Sequence, residues 1–224
     1  MKFWGYFFYW STIVACVIAC GTFVWKYELE LVEVPYVKIQ APVDNPDDTE
    51  PIHGSHVVRQ TLGVTDSFNF SRISIPFYVR KSEGLVWVVI REQGQDIVDF
   101  EYDLSQEPSG FTELSFVPDA PITVTQDLDV VISSDVPNAE YERAGAVFIE
   151  KADYVYSLGN YFVGDNEKQG DVGMTLFEMV SRYELLWKDF SKRPIDSLAY
   201  GATWVFVISF GLFLYYRVVQ FWFR

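Results

Sequence analysis

The stretch FNFSRISIPFYVRKSEGLVWVVIREQGQDIVDFEYDL, residues 68–104, decides the fold of this chain. RISIPFYV alternates, placing Ile73, Ile75, Phe77 and Val79 on one face of a strand and Arg72, Ser74, Pro76 and Tyr78 on the other. LVWVVI, residues 85–90, is apolar on both faces, the pattern of a central strand in a covered sheet. IVDFEY alternates again. Ser-Glu-Gly and Gln-Gly-Gln separate the runs, so the text reads strand, turn, strand, turn, strand.

The same texture extends both ways. HVVRQTL, TELSFV, LDVVISS, GAVFIE and DVGMTLFE are short runs rich in β-branched and aromatic residues, broken by Gly, Pro, Asn and Asp. Eight or more such strands without intervening amphipathic helices predict a mainly β fold, a jelly roll or other β-sandwich, over residues 57–178. Ahead of it lies VEVPYVKIQAPVDNPDDTEPIHGSH, residues 32–56. Four prolines and an acidic cluster there predict an extended stalk over 28–56. Behind it, Met179, Tyr183, Leu186, Trp187 and Phe190 recur at helical spacing. They predict a juxtamembrane amphipathic helix over 179–193, stopped by Pro194.

The word juxtamembrane comes from the ends. FWGYFFYWSTIVACVIACGTFVW, residues 3–25, holds no charged residue. As a helix it would run about 35 Å, enough for a hydrocarbon core of about 30 Å. LAYGATWVFVISFGLFLYY, residues 198–216, is a second uncharged run, continued by an aromatic tail to 223. Two transmembrane helices, 3–25 and 198–223, are therefore predicted, with the β domain inserted between them. Trp4, Phe7, Phe8, Trp10 and Trp25 give the first span a broad, rigid surface for lipids or neighbouring helices. Trp204, Phe206, Phe210, Phe213 and Trp222 do so for the second. VIAC, residues 17–20, also matches a lipoprotein cleavage box with Cys20 as the lipidated residue; the aromatic-heavy stretch fits a retained anchor better. The two cysteines, Cys16 and Cys20, are i and i+4 on one helix face, the wrong geometry for a disulfide.

All 31 acidic residues lie between the two runs, and the net charge is −14. Such a surface repels phosphate, so nucleic acid is excluded as a partner. Both termini are expected on one side of the membrane. The positive residues flanking the spans nearly balance, slightly favouring a cytoplasmic domain. A short positive start before a hydrophobic run reads as a signal anchor, which puts the domain outside the cytoplasm.

Some punctuation has a familiar order. Gln60-Thr61-Leu62 opens it, Gly84-Leu85-Val86 and Phe116-Val117-Pro118 follow, and Tyr156-Ser157-Leu158-Gly159 with Gly170-Asp171-Val172 closes it. Over about residues 55–178 the chain resembles a carbohydrate-binding-like jelly-roll module of bacterial membrane proteins, including sugar-transferase families. The resemblance implies a jelly roll on the outer side of a bacterial inner membrane, in the periplasm, and glycans as candidate ligands. Tyr154, Tyr156 and Tyr161 are the rings that could stack on a sugar. Trp87 and Tyr102 could too, with core packing the preferred reading for Trp87.

FVGDNEKQGDVG, residues 162–173, holds the densest cluster of oxygen ligands. Asp165, Asn166, Glu167 and Asp171 could be offered to Ca²⁺, but the spacing fits no EF-hand and Lys168 sits among them. A solvated turn is the preferred reading, on which replacing Asp165 and Asp171 together would barely change stability. His53 and His56, the only histidines, lie in the stalk without a third ligand, which favours a polar loop over a metal site. No GxSxG, Walker or dinucleotide-binding motif occurs, and neither span offers a histidine to haem or a chlorophyll-type pigment. No catalytic residue, metal or cofactor is assigned. The expectation is a non-catalytic accessory subunit of a larger membrane complex, with other integral-membrane subunits and lipids as partners. Respiratory, polysaccharide-export and reaction-centre–antenna complexes are candidate hosts. The alternative is a membrane-tethered carbohydrate-binding module.

Overall fold

A computed structural model describes residues 30–40, 48–81, 83–150 and 159–182, and helical positions 14, 21, 22, 184, 185, 188, 211, 215 and 220. The predicted spans 3–25 and 198–223 lie almost wholly outside the described residues, with all ten aromatic residues named in them. Among the described residues no helix is long and apolar enough to cross a membrane. The chain forms two compact units: Glu33–Met179, and Met1–Val32 with Val180–Arg224.

The larger unit is a mainly β sandwich of two antiparallel sheets. Among the described residues fourteen strands form it in chain order: β1 Leu31–Ile39, β2 Thr49–Pro51, β3 Val58–Leu62, β4 Phe68–Val79, β5 Leu85–Glu92, β6 Gln95–Asp103, β7 Gly110–Phe116, β8 Ile122–Val124, β9 Leu128–Ser134, β10 Ala146–Glu150, β11 Tyr161–Val163, β12 Asn166–Lys168, β13 Asp171–Val172 and β14 Met174–Ser181. One sheet runs β1-β14-β4-β10-β13, with β2 on β10 and with β7 and β8 on β4. The other runs β12-β11-β3-β9-β5-β6. The chain passes from sheet to sheet several times, so neither sheet forms without the other.

The opening stretch supplies the spine of each sheet. Ile73, Ile75, Phe77 and Val79 of β4 are 1% exposed or less, the face their alternation predicts. Phe68 and Phe70 also point inward although their parity is opposite. The register against β14 shifts between Phe177 and Glu178, where Ser71 is the extra residue, and this bulge restores the inward face. Pro76 falls where β4 changes partner from β14, paired as far as Ser74, to β10, paired from Phe77. A residue without an N–H is tolerated in that gap. On β5, Val86, Val88 and Ile90 face the core. Gln93 (φ 51°) and Gly94 (φ 78°) turn β5 into β6, the two positive dihedrals a tight hairpin requires.

Two expectations are corrected. The extended stalk does not stand apart from the β domain: Leu31–Ile39 is a strand that pairs with β14, and Thr49–Pro51 pairs with β10. Proline density had masked the alternation of VEVPYVKI, and Pro35 is tolerated because β1 is an edge strand. Val37 and Ile39 are buried, and Tyr36 stacks on Phe68 with ring centroids 3.8 Å apart. Secondly, Glu178–Ser181 continue β14 and do not start a helix. Met179 therefore belongs to a strand, and helical geometry is described only from Arg182 onward. A period of two and a period of 3.6 are hard to separate over four residues, and continuation of the strand that pairs with β4 through Glu178 decides between them.

In the smaller unit, the backbone N–H of Arg182 donates to the Glu30 carbonyl at 3.1 Å. The two side chains form an ion pair at 2.9 Å. The sequence-distant halves of this unit therefore meet at residues 30 and 182.

Candidate functional site

The motif residues that are far apart in sequence converge on one polar seam between the sheets. Gln60 of β3 and Asp171 of β13 are both fully buried. The Gln60 amide donates to Asp171 Oδ1 at 2.7 Å and to the Thr61 carbonyl at 3.0 Å. Its Oε1 accepts from the Val172 N–H at 2.8 Å. Only this amide orientation matches, because a flip would set N–H against N–H. Gly159 packs so close to β3 that a Cβ there would sit 1.9 Å from the Thr61 carbonyl oxygen. Gly170, at φ 118°, would place a Cβ 2.7 Å from the Glu150 carbonyl oxygen. Gln60, Gly159, Gly170 and Asp171, four residues that carried the family resemblance, thus form one cross-sheet tie.

The acidic loop splits into two environments. Gly164 (φ 57°) and Asp165 form a two-residue hairpin turn between β11 and β12, with Val163 opposite Asn166. Asp165, Asn166 and Glu167 are exposed. Asp171 is not: it is 0% exposed and serves the seam. The expected tolerance of its replacement is therefore corrected, since a buried carboxylate with buried donors behaves unlike a turn residue. Among the described residues no three His, Cys, Asp or Glu side chains gather around a common metal position.

Beside the seam lies a second polar group. His53 and His56 pair as an isolated bridge, and their rings stack with centroids 4.9 Å apart. His53 Nδ1 lies 3.0 Å from Asn138 Oδ1, and His56 Nε2 lies 2.6 Å from Glu50 Oε1. Gly54 (φ 43°) is required between them, as a Cβ would fall 2.3 Å from Asn138 Oδ1. The residue missed in sequence here is Asn138, 85 positions from His53, which no local pattern connects. The hydroxyl of Tyr161 is buried without a hydrogen-bond partner. Burial first, and the nearby Glu50 carboxylate second, hold this phenol protonated far above its usual range. Glu50 acts on this hydroxyl both as a nearby acceptor and as a charge, although the hydroxyl meets no acceptor at full hydrogen-bond geometry.

Of the rings named for sugar stacking, Tyr161 is 2% exposed and packs in the core, while Tyr154 and Tyr156 lie outside the described residues. Tyr102 also faces inward, edge-on to Phe116 at 5.9 Å. Trp87, expected in the core, is half-buried on the outer face of β5, its indole N–H donating to Glu101 at 3.0 Å. A doubly apolar run therefore does not mean a doubly covered strand. Phe111 is 51% exposed on the outer face of the other sheet, 5.9 Å from Phe148 and opposite Tyr78.

Many of the carboxylates are structural. Glu107 accepts from the Tyr102 hydroxyl and from Thr112 Oγ1 at 2.8 Å, joining β6 of one sheet to β7 of the other. The Tyr102 bond, then the Thr112 bond, hold its carboxyl below the usual range. Glu92 accepts from the Thr125 and Gln126 N–H groups at 2.7 and 2.8 Å, and the Thr125 N–H is the main cause of its lowered pKa.

No protein-family model matches the chain, and no curated protein matches it in sequence. By its own strand order it belongs to the class of β-sandwiches built from two antiparallel sheets. Solved structures similar to it include carbohydrate-binding modules. One is the CBM36-1 domain of a multidomain xylanase from the hindgut metagenome of Trinervitermes trinervoides, at 9% identity and TM-score 0.31, covering 68% of this chain and 98% of that one. Another is the carbohydrate-binding module CBM36 in complex with calcium and xylotriose, at 13% identity and TM-score 0.31, covering 66% and 99%. A third is TmCBM61 in complex with β-1,4-galactotriose, at 6% identity and TM-score 0.26, covering 71% and 93%. No residue role is carried over from them.

Proposed function

We propose that the chain is a non-catalytic accessory subunit of a larger integral-membrane complex, with the sandwich as a bracing domain on the periplasmic side of a bacterial inner membrane. The supporting observation is the Glu30–Arg182 contact, which ties together two positions on the β-domain side of two uncharged, aromatic-rich runs, Glu30 following residues 3–25 and Arg182 preceding residues 198–216. Two such runs bracketing one domain suit a pair of bilayer-spanning helices. Isolated positions within both runs, Val14 and Tyr215 among them, are helical and exposed at 53% and 37%, as side chains facing lipid or partner helices would be. The carboxylates described above are engaged in turns and cross-sheet ties, a use of acidity that serves rigidity.

Gentle-detergent extraction of native membranes, followed by size-exclusion chromatography and mass spectrometry, tests this reading. The chain should elute in a particle much larger than itself, with the same integral-membrane partners in repeated preparations. Elution only as a free monomer overturns it. The alternative, a tethered glycan-binding module, has the exposed Phe111 beside Tyr78 as one aromatic platform among the described residues.

A further inference from the structure

We propose that the open edge of β6 docks an extended segment of a partner protein in which apolar and basic residues alternate. β6 is 9 residues long and ends the six-stranded sheet; among the described residues only β5 pairs with it. An edge of that length leaves a row of backbone N–H and C=O groups available to another strand.

Both faces of β6 are unfinished, in different ways. Its inward residues Val98, Phe100 and Tyr102 are only half-buried, although Ile90, Val88 and Val86, opposite them on β5, are 0, 0 and 1% exposed. Phe100 and Tyr102 reach Phe116 of the facing sheet at 5.5 and 5.9 Å, so an apolar side chain beside them would extend an existing core layer. Its outward residues Asp99, Glu101 and Asp103 are all exposed carboxylates. Across the bulge, Asp96 bonds to Arg91 at 2.5 Å, but Asp99 has no ion-pair partner among the described residues. An added strand would set every second side chain beside these acids and the others beside Phe100 and Tyr102.

The charges select the occupant. A second copy of β6 would bring like carboxylates opposite one another, which destabilises the pairing, whereas Lys or Arg at those positions forms favourable cross-strand pairs. Acidic residues on an edge also guard against self-association, so one feature excludes the homodimer and admits a basic strand. This inference uses the sandwich alone and does not depend on how the chain is anchored.

The test uses the full chain in mild detergent and a 9-residue peptide, matching the strand in length, of alternating Val and Lys with blocked ends. Fluorescence anisotropy at about 0.15 M salt, where exposed charges are screened beyond about 8 Å, should show saturable binding. Asp99→Lys with Glu101→Lys should weaken it by about tenfold or more, and Asp99→Asn should weaken it less. Asp119→Lys with Asp165→Lys, an equal change of charge at exposed sites elsewhere, should leave it nearly unchanged. Methylating alternate peptide nitrogens keeps the charge but removes strand hydrogen bonds, and should abolish binding. Equal binding of the methylated peptide, or equal weakening by the distant pair, would mean charge attraction alone and overturn the proposal. So would a peptide-free dimer cross-linked through Asp99→Cys.

Discussion

Gln60 and Asp171, 111 residues apart in the chain, are joined side chain to side chain at 2.7 Å across the interior of the sandwich. One belongs to each sheet, and neither is exposed to solvent. The pair closes the motif that opens at β3 and ends at β13, and it converts a sequence resemblance into a physical contact. Removing either partner strands a buried polar group.

Asp171→Ala should therefore cost about 3 kcal/mol, the range for an unpaired buried group whose partner was charged. Gln60→Ala should cost a similar amount, and the double substitution should cost less than the sum. Asp165→Ala, on the exposed hairpin, should stay within about 0.5 kcal/mol. Thermal melts of the four proteins check this, at roughly 2–4 °C per kcal/mol for a domain of this size. Equal effects at 165 and 171 would contradict the seam.

Glycine replacements separate space from dihedral. At Gly164 a Cβ meets nothing, and only the positive φ opposes alanine, so Gly164→Ala should cost about 1 kcal/mol. At Gly159 the Cβ would fall on a backbone oxygen that cannot swing away. Gly159→Ala should cost about 3 kcal/mol, in the upper range for overpacking. Urea titrations of both variants decide the order, and a reversed order would show the close approach to Thr61 to be absent.

Acid should loosen the sandwich. Glu92 and Glu107 have folded pKa values below their unfolded ones. Their contribution is present above the unfolded value, about 4.3, and is lost as pH falls through the folded value. The melting temperature should drop from about pH 4.5 downward, and Glu107→Gln should flatten part of that slope. Tyr102 and Tyr161 are raised, so their contribution is present below about pH 10 and lost as pH rises beyond it. Tyr161→Phe should remove part of the alkaline loss. At pH 7 it should be neutral or stabilising by up to about 1 kcal/mol, because the hydroxyl it deletes is buried without a hydrogen bond. Melts from acid to alkaline pH check both arms.

Boundaries chosen from pattern should fail where boundaries chosen from pairing succeed. A fragment spanning 57–178 lacks β1, β2 and the end of β14, and uncovers Phe68 by removing Tyr36. A fragment spanning 30–182 keeps all fourteen strands. The longer one should give dispersed amide NMR signals and a cooperative melt, and the shorter one should aggregate or melt far lower.

Local pattern in the sequence was enough to determine that residues near 72–79, 85–92, 97–102 and 128–134 are strands, because a period of two is a property of neighbours. It likewise determined that the acids cluster between two uncharged runs and that Gly164-Asp165 makes a turn. Tertiary structure alone decided that VEVPYVKI is an edge strand, because that depends on β14 being beside it. It decided that Trp87 faces outward and Tyr161 inward, since which face of a strand is covered depends on what the rest of the chain lays over it. It also decided that Asp171 belongs to the interior while Asp165, six residues earlier, belongs to solvent. Hydrogen bonds between residues 111 positions apart leave no local periodicity, so their partners become visible only once both sheets are assembled.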